Sequence, residues 1–130
     1  MKNKIDTFCK CIQNYEGYFP PSKRYPHGTP AWRNNNPGNL RFVGQPTATG
    51  KDKSGFCIFP SYEVGFQALR QMVTNVCTGK SRVYKKTDTI KVFFSRYAPS
   101  SDNNNPDAYA RWVASQLKLP VETQMQELLK

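Results

Sequence analysis

One carboxylic acid, Glu16, stands where the sequence could place an acid catalyst. It follows an amphipathic run whose apolar residues repeat at the spacing of one helix face: Ile5, Phe8, Cys9 and Ile12. Glu16 lies four residues beyond Ile12 and continues that stripe to the edge of a core. Desolvation there favours the protonated carboxyl, which a general acid needs at neutral pH. The alternative is a helix-end carboxylate that pairs with a lysine or arginine.

A helix and a long loop must position this acid. The apolar spacing predicts a helix over residues 4–16, which Gly17 and the pair Pro20-Pro21 end. Residues 17–39 hold too much proline and glycine for a regular element of any length, so we expect a packed loop. Residues 40–43 and 55–59 predict the strands of a small hairpin with a long, flexible, exposed tip.

Helices follow the hairpin. Ser61 is a good N-cap for a helix that Gly79 ends, and Asp88 is expected to cap the next one. Pro106 suits the first position of a fourth helix, and a short last helix follows Pro120. The residues expected on the inner helix faces are Tyr62, Phe66, Leu69, Val73, Val76, Ile90, Phe93, Phe94, Tyr97, Tyr109, Trp112, Val113, Leu117, Val121, Met125, Leu128 and Leu129. This order predicts a mostly helical α+β fold in one domain over residues 1–130.

Charge and aromatic content indicate the kinds of partner. The net charge is +10, from 19 Lys and Arg against 9 Asp and Glu. Such a surface attracts polyanions, and both nucleic acid and an anionic bacterial cell wall fit. The basic residues are densest at 80–86, where the alternative is a solvated basic face. Eight Phe, seven Tyr and two Trp exceed what a minimal core requires, so some rings are candidates for lining a groove.

The cysteines and the single histidine do not suggest a metal site. Cys9, Cys11, Cys57 and Cys77 include no Cys-x-x-Cys pair, and His27 is far from any ligand-like spacing. We therefore expect no metal and no cofactor. Free thiols are favoured over a Cys11–Cys57 or Cys57–Cys77 bridge, because no secretion signal is evident.

Membrane and export signals are also not evident. No stretch approaches the ~20 apolar residues of a membrane span. The charged N-terminus is not followed by the apolar segment of a cleaved signal. We expect synthesis in the cytoplasm without a cleaved signal, and either delivery by another route or origin as a piece of a longer protein.

Four segments carry a resemblance to a known family. They read Tyr-Glu-Gly-Tyr-Phe-Pro at 15–20, Arg-Asn-Asn-Asn-Pro-Gly-Asn-Leu-Arg at 33–41, Phe-Pro-Ser-Tyr-Glu-Val-Gly-Phe-Gln-Ala-Leu at 59–69 and Arg-Tyr-Ala-Pro-Ser at 96–100. Together they resemble phage and prophage lysozyme-like proteins of the lytic transglycosylase type. The Arg-Asn-Asn-Asn-Pro-Gly-Asn block is quite specific, whereas the Glu-Gly pair alone would be weak.

The resemblance implies a lysozyme-like fold that cleaves peptidoglycan. In that superfamily the catalytic Glu ends a helix, ahead of a loop and a small β element, and Glu16 matches this place. The resemblance maps Tyr97 and Tyr109 onto groove tyrosines, with core packing as the alternative. It places Asn36 and Asn39 where relatives present residues to sugar amides, with turn formation as the alternative.

Four other residues are weighed as substrate contacts. Tyr62, in the third segment, is a candidate for substrate binding. For Trp32 and Tyr25 we favour pinning of the loop over stacking on sugar rings. Arg33 is expected either to hold the loop or to bind the carboxylates of peptidoglycan.

No second carboxylate is an obvious partner for Glu16. Asp52 lies between Lys51 and Lys53 in the hairpin tip, and Glu63 fits the support of a helix N-terminus better. A lone acid favours a lytic transglycosylase, in which the muramic acid C6 hydroxyl attacks its own anomeric carbon. The N-acetyl group of the substrate then replaces the second carboxylate of other glycosidases.

The expected activity is cleavage of the β-1,4 bond between N-acetylmuramic acid and N-acetylglucosamine. The expected partners are peptidoglycan glycan strands and the anionic wall, met by a monomer that serves as a phage virion or lysis protein. One alternative is a hydrolytic muramidase or glucosaminidase of the same fold. The other is a non-catalytic basic module that binds cell wall or nucleic acid.

Overall fold

The computed structural model describes residues 3–130 as a small, mostly helical α+β protein. About 48% of it is helical, and the sheet is a two-stranded antiparallel one, which confirms the predicted fold class at this level. In chain order the elements are α1 (Lys4–Tyr15), α2 (Pro30–Arg33), β1 (Gly50–Lys51), β2 (Cys57–Ile58), α3 (Tyr62–Thr78), α4 (Ile90–Tyr97) and α5 (Pro106–Leu117). Two 3₁₀ helices, Ser100–Asp102 and Met125–Leu129, complete the described part.

Contacts between residues divide the chain into two compact units. The helical unit comprises the chain up to Cys11 together with Met72–Lys130. The loop unit comprises Ile12–Gln71 and therefore holds Glu16, the long loop and the sheet. Each unit is described by itself below.

The helical unit is built around a cluster of aromatic rings. Phe8 lies with its ring centroid 5.5 Å from that of Phe93 and 5.5 Å from that of Phe94. Phe94 also stacks on Tyr109 at 4.2 Å, and none of these four side chains is exposed. Full burial of a large apolar side chain contributes about 1.5–3 kcal/mol, so this cluster is a main source of the unit's stability.

The helix boundaries follow local signals in most places. α1 ends one residue before Glu16, and the predicted stripe on α1 is buried. The Ser61 hydroxyl accepts the N–H of Val64 at 3.2 Å, which confirms the predicted cap of α3. Pro106 opens α5 as predicted, after the N-cap Asn105.

Three predictions for helices were wrong. Thr89, and not Asp88, caps α4 by accepting the N–H of Val92, because the Asp88 carboxylate instead accepts the N–H of Lys85 at 2.9 Å. The single-turn helix α2 interrupts the predicted loop, because Pro30 there occupies a first helical position. Leu129 was expected to be inward but is 52% exposed at the end of its 3₁₀ helix.

The sheet of the loop unit differs from the predicted hairpin. Its strands are Gly50–Lys51 and Cys57–Ile58, so β1 lies in what was predicted as the tip, and residues 40–43 contribute only an isolated bridge from Arg41 to Phe56. Two other partners take the backbone groups that would extend this pairing. The Leu40 N–H donates to Oδ1 of Asn36 at 2.9 Å, and Nδ2 of Asn36 donates to the Cys57 carbonyl at 3.1 Å. The N–H of Gly55 donates to the carbonyl of Asp52 at 3.1 Å.

The cysteines and the helices bear on two further expectations. Cys9, Cys11, Cys57 and Cys77 are buried thiols, and burial raises the pKa of Cys77 to about 11. Among residues 3–130, no helix has both the length and the apolar character that crossing a membrane requires.

Candidate active site

Glu16 is held at the C-terminal end of α1 by regular backbone bonds. It is the first residue after the helix and is half-buried. Its N–H donates to the carbonyl of Ile12 at 2.8 Å, and the N–H of Tyr18 donates to the carbonyl of Gln13 at 3.2 Å. Gly17 takes a φ of +78°, in the left-handed region that glycine adopts without strain and that commonly ends helices. The carboxyl therefore projects from a fixed turn.

Thr29 fastens the segment that follows Glu16. Its hydroxyl donates to the carbonyl of Gly17 and accepts the N–H of Phe19 at 3.0 Å. Its backbone N–H donates to the carbonyl of Phe19 at 3.0 Å, and the residue is only 9% exposed. Nothing singled out Thr29 in the sequence, although its place before Pro30 is typical of a helix N-cap. In the structure its hydroxyl serves the Glu16 turn and not the helix.

Tyr62 is a predicted site residue that the structure brings to the last turns of α1. Its hydroxyl donates to Oε1 of Gln13 at 2.7 Å, three residues before Glu16. Its ring lies 5.3 Å from that of Tyr18, centroid to centroid. Burial, followed by the nearby Tyr62 and Glu63, raises the pKa of Tyr18. Its phenol therefore stays neutral, and able to donate a hydrogen bond, across the physiological range.

The long loop is fixed by its own aromatic and basic side chains. Tyr25 stacks on Phe19 at 5.6 Å. The Trp32 ring packs against the backbone of Gly28 so closely that a Cβ there would come within 2.5 Å of it. Arg33 donates to the carbonyl of Gly28 at 2.7 Å. These contacts match the loop-holding alternatives weighed for Tyr25, Trp32 and Arg33.

The side chain of Asn36 is buried and links the backbone near Leu40 to β2. It is fully buried, and its Nδ2 donates to the carbonyls of Leu40 at 3.0 Å and Cys57 at 3.1 Å. Its Oδ1 accepts the N–H of Leu40 at 2.9 Å. Both amide hydrogens of Asn36 are thus bonded within the protein. The alternative of turn formation therefore replaces the predicted contact of Asn36 with sugar. Asn39 is half-buried, with φ +51°, and its N–H donates to the Asn36 carbonyl at 2.9 Å.

Asp52 is more ordered than its place in a predicted flexible tip suggested. Its Oδ1 accepts the N–H groups of Ser54 and Phe56, each at 2.9 Å. Its Oδ2 accepts a hydrogen bond from Nδ2 of Asn34 at 2.9 Å. This bond links the turn between β1 and β2 to residues 34–39, which we call the Asn-Pro-Gly loop. The N–H of Phe56, followed by the Asn34 amide, lowers the pKa of Asp52, so this carboxylate stays ionised.

The two tyrosines predicted for the groove belong to the helical unit. Tyr97, the last residue of α4, is half-buried and stacks on Phe93 at 5.3 Å. Tyr109 has no exposed surface and stacks on Phe94. A sugar in a groove cannot reach such a ring, so the packing alternative replaces the predicted substrate contact of Tyr109.

The site therefore consists of residues from the loop unit. Glu16 lies on the turn after α1, the hydroxyl of Thr29 holds the backbone of that turn, and Tyr18 and Tyr62 lie beside the end of α1. Within residues 3–130, no three His, Cys, Asp or Glu side chains lie together as a possible set of metal ligands. Comparison with protein-family models, with curated proteins and with solved structures gave no match. The resemblance to phage lysozyme-like proteins stays a prediction.

Proposed function

We propose that this protein cleaves the β-1,4 bond between N-acetylmuramic acid and N-acetylglucosamine in peptidoglycan, as a lytic transglycosylase with a lysozyme-like fold. The observation that carries the proposal is the placement of Glu16. It is half-buried on a fixed turn at the end of α1, Tyr18 follows it by two residues, and the ring of Tyr62 packs against that of Tyr18 at 5.3 Å. We place the activity at the bacterial cell wall, in a phage virion or lysis protein.

The mechanism needs one group that gives up a proton and then accepts one. Protonated Glu16 donates its proton to the glycosidic oxygen, and the bond from that oxygen to C1 of muramic acid breaks. The N-acetyl group of the same sugar stabilises the positive charge at C1. The C6 hydroxyl then attacks C1 and passes its proton to the Glu16 carboxylate. The products are a free N-acetylglucosamine end and a 1,6-anhydro muramic end, and no water is consumed.

The neutral phenol of Tyr18 suits the support of such a site. A phenol donates a hydrogen bond to a sugar hydroxyl or amide, and its ring offers an apolar face to the pyranose. Tyr62 is tied to Gln13 near the end of α1, and Tyr18 follows Glu16 by two residues. Asn39, half-buried in the loop unit, is a proposed contact for the glycan, whereas the predicted contact of Tyr97, in the helical unit, stays a prediction.

Asp52 makes hydrolysis by the same fold the second candidate. An inverting or retaining hydrolase needs a second, ionised carboxylate besides its acid. Asp52 is held by three hydrogen-bond donors and belongs to the same unit as Glu16. In this alternative its carboxylate activates water or stabilises the charged sugar, and the muramic end becomes a reducing sugar.

Product analysis separates the two candidates. Purified peptidoglycan is digested in water enriched in heavy oxygen, and the released muropeptides are analysed by mass spectrometry. We expect anhydro ends without heavy oxygen. Reducing muramic ends that carry the label would instead indicate the hydrolase, and Asp52→Asn should then abolish them. Binding to the wall without any released product would refute both enzymatic candidates and favour a non-catalytic binding module.

The role of Glu16 is tested with a matched carboxylate. Glu16→Gln keeps the size of the side chain and removes its proton transfer, so we expect loss of release by at least about a hundredfold. Glu122→Gln makes the same change at an exposed position of the helical unit and should keep most of the activity. Circular dichroism and thermal unfolding establish that both variants fold. Full activity of Glu16→Gln would refute the assignment.

A further inference from the structure

The segment between α3 and α4 concentrates positive charge in the helical unit. We call residues 80–86 the basic loop, and its four cationic side chains are all exposed: Lys80, Arg82, Lys85 and Lys86. Asp88 is the single acidic residue in the sequence between Gly79 and Ile90. Its Oδ2 accepts the backbone N–H of Lys85 at 2.9 Å, so this carboxylate helps to shape the turn.

The basic loop is a fixed structure. The Ser81 hydroxyl accepts the N–H groups of Val83 at 3.2 Å and Tyr84 at 3.1 Å. At its far end, the carbonyl of Lys86 accepts the N–H of Gln126 at 2.9 Å. A surface that is already ordered loses less conformational entropy when it binds, so its charges act together on one ligand.

Two contacts bring the cations closer than their spacing in sequence suggests. The stem of Lys86 lies over Gly79, with its Cδ 3.3 Å from where a Cβ on that glycine would stand, so Lys86 is near the start of the loop. Arg96, from the last turn of α4, donates to the carbonyl of Val83 at 2.8 Å and adds a fifth cation. Arg96 and the four cations of the basic loop thus belong to one short region of the helical unit.

The aromatic residue of the loop points to the kind of polyanion. Tyr84 packs on Phe93 with ring centroids 4.7 Å apart, and burial raises its pKa although Arg96 opposes this shift. The exposed apolar residue of the loop is Val83, which is 64% exposed. Proteins that bind single-stranded nucleic acid stack bases on exposed aromatic rings. The basic loop offers charge with its aromatic ring packed on Phe93, and this favours a polyanion that is bound through its phosphates and not by base stacking.

We propose that the basic loop, with Arg96, is a docking surface for a phosphodiester polymer of the bacterial wall, such as poly(glycerol phosphate). The basic loop belongs to the helical unit and Glu16 to the loop unit, and the choice of a wall polymer over other polyanions rests on the proposed function. Docking there retains the protein on the wall while Glu16 acts on the glycan. The interaction weakens as salt rises, because exposed charges are screened.

Binding of purified poly(glycerol phosphate) to the full chain tests this surface. The triple variant Lys80→Ala, Lys85→Ala, Lys86→Ala should bind on the order of a hundredfold more weakly at low salt, at about fivefold per cation near an anionic surface. A matched variant with Lys23→Ala, Lys53→Ala and Arg111→Ala removes the same net charge from other exposed positions. It should lose less than about fivefold.

Each other outcome overturns the proposal. Equal losses in the two triple variants would mean that net charge alone drives binding. Tighter binding to an oligothymidylate with the same number of phosphates would assign the loop to nucleic acid. Wild-type protein that does not bind the polymer would refute the surface directly. Cleavage of polymer-free peptidoglycan reports on Glu16 separately, so failure of docking and failure of the proposed activity are distinguishable.

Discussion

Gly65 marks the place where α3 comes closest to the Asn-Pro-Gly loop. A Cβ added to Gly65 would lie 1.8 Å from the carbonyl oxygen of Asn35 and 3.1 Å from Cδ of Pro37. That oxygen cannot move away easily. Asn35 has a φ of +52°, and its Nδ2 donates to the carbonyl of Phe59 at 3.0 Å. Gly65→Ala therefore forces backbone to move against backbone.

The sign of the effect distinguishes this contact from ordinary helix propensity. In an open helix, alanine in place of glycine stabilises by about 1 kcal/mol. Here carbon and oxygen must separate by roughly a further 1.5 Å to reach normal contact, and overpacking of this kind costs about 1–3 kcal/mol, occasionally more. We expect Gly65→Ala to destabilise the protein by roughly 2 kcal/mol and to lower Tm by about 8 °C.

Urea unfolding followed by circular dichroism measures the change. Gly50→Ala is the matched control, because a Cβ at Gly50 meets nothing within 4 Å and the residue is not in the left-handed region. We expect the control to change the free energy of unfolding by less than about 0.5 kcal/mol. A Gly65→Ala protein as stable as wild type, or more stable, would show that the loop does not approach the helix as described.

Three more predictions follow from single residues. Thr29→Val should lower the free energy of unfolding by about 1–3 kcal/mol, because the Gly17 carbonyl and the Phe19 N–H lose their hydroxyl partner. Thr29→Ser keeps the hydroxyl and should recover most of this loss. Equal stability of the two variants in urea would contradict the role of the hydroxyl. Because the pKa of Asp52 is lowered in the folded state, its ionised form stabilises the fold above the ordinary carboxyl pKa, and this contribution disappears as pH falls through the lowered value. Asp52→Asn should thus be less stable than wild type near neutral pH and approach it in acid, and a constant difference at all pH values would be the wrong outcome. Cys77, with a pKa of about 11, should react with an aromatic disulfide reagent near neutral pH only after denaturation, and rapid labelling of the native protein would oppose its burial.

Local patterns predicted the helices well and the sheet poorly. The starts of α3 and α5 depend on Ser61 and Pro106, whose effects extend over one turn, so they can be read from a few neighbouring residues. The strand predicted at residues 40–43 failed because a side chain, Asn36, took the backbone groups of Leu40 and Cys57 that would have paired. Such competition is not visible in the alternation of apolar and polar residues.

In the predicted site, too, local features were predicted and contacts between distant segments were not. Glu16 at the end of α1 followed from helical spacing, and the structure places it there. Tyr62 was predicted as a contact, but its bond to Gln13 joins residues 49 apart in the chain and could not be foreseen. Tyr109 and Asn36 were placed on a groove by resemblance, and both side chains are buried.

By itself, the sequence determined which segments form helices, where Glu16 follows one, and that the surface is strongly basic. These properties depend on residues within a turn or two of each other, or on composition alone. Only the tertiary structure decided that Thr29 fastens the Glu16 turn, that Asn34 holds Asp52, and that Gly65 must lack a side chain. Each of these depends on two chain segments meeting at a distance of a few ångströms, and where a chain returns is set by packing of the whole fold.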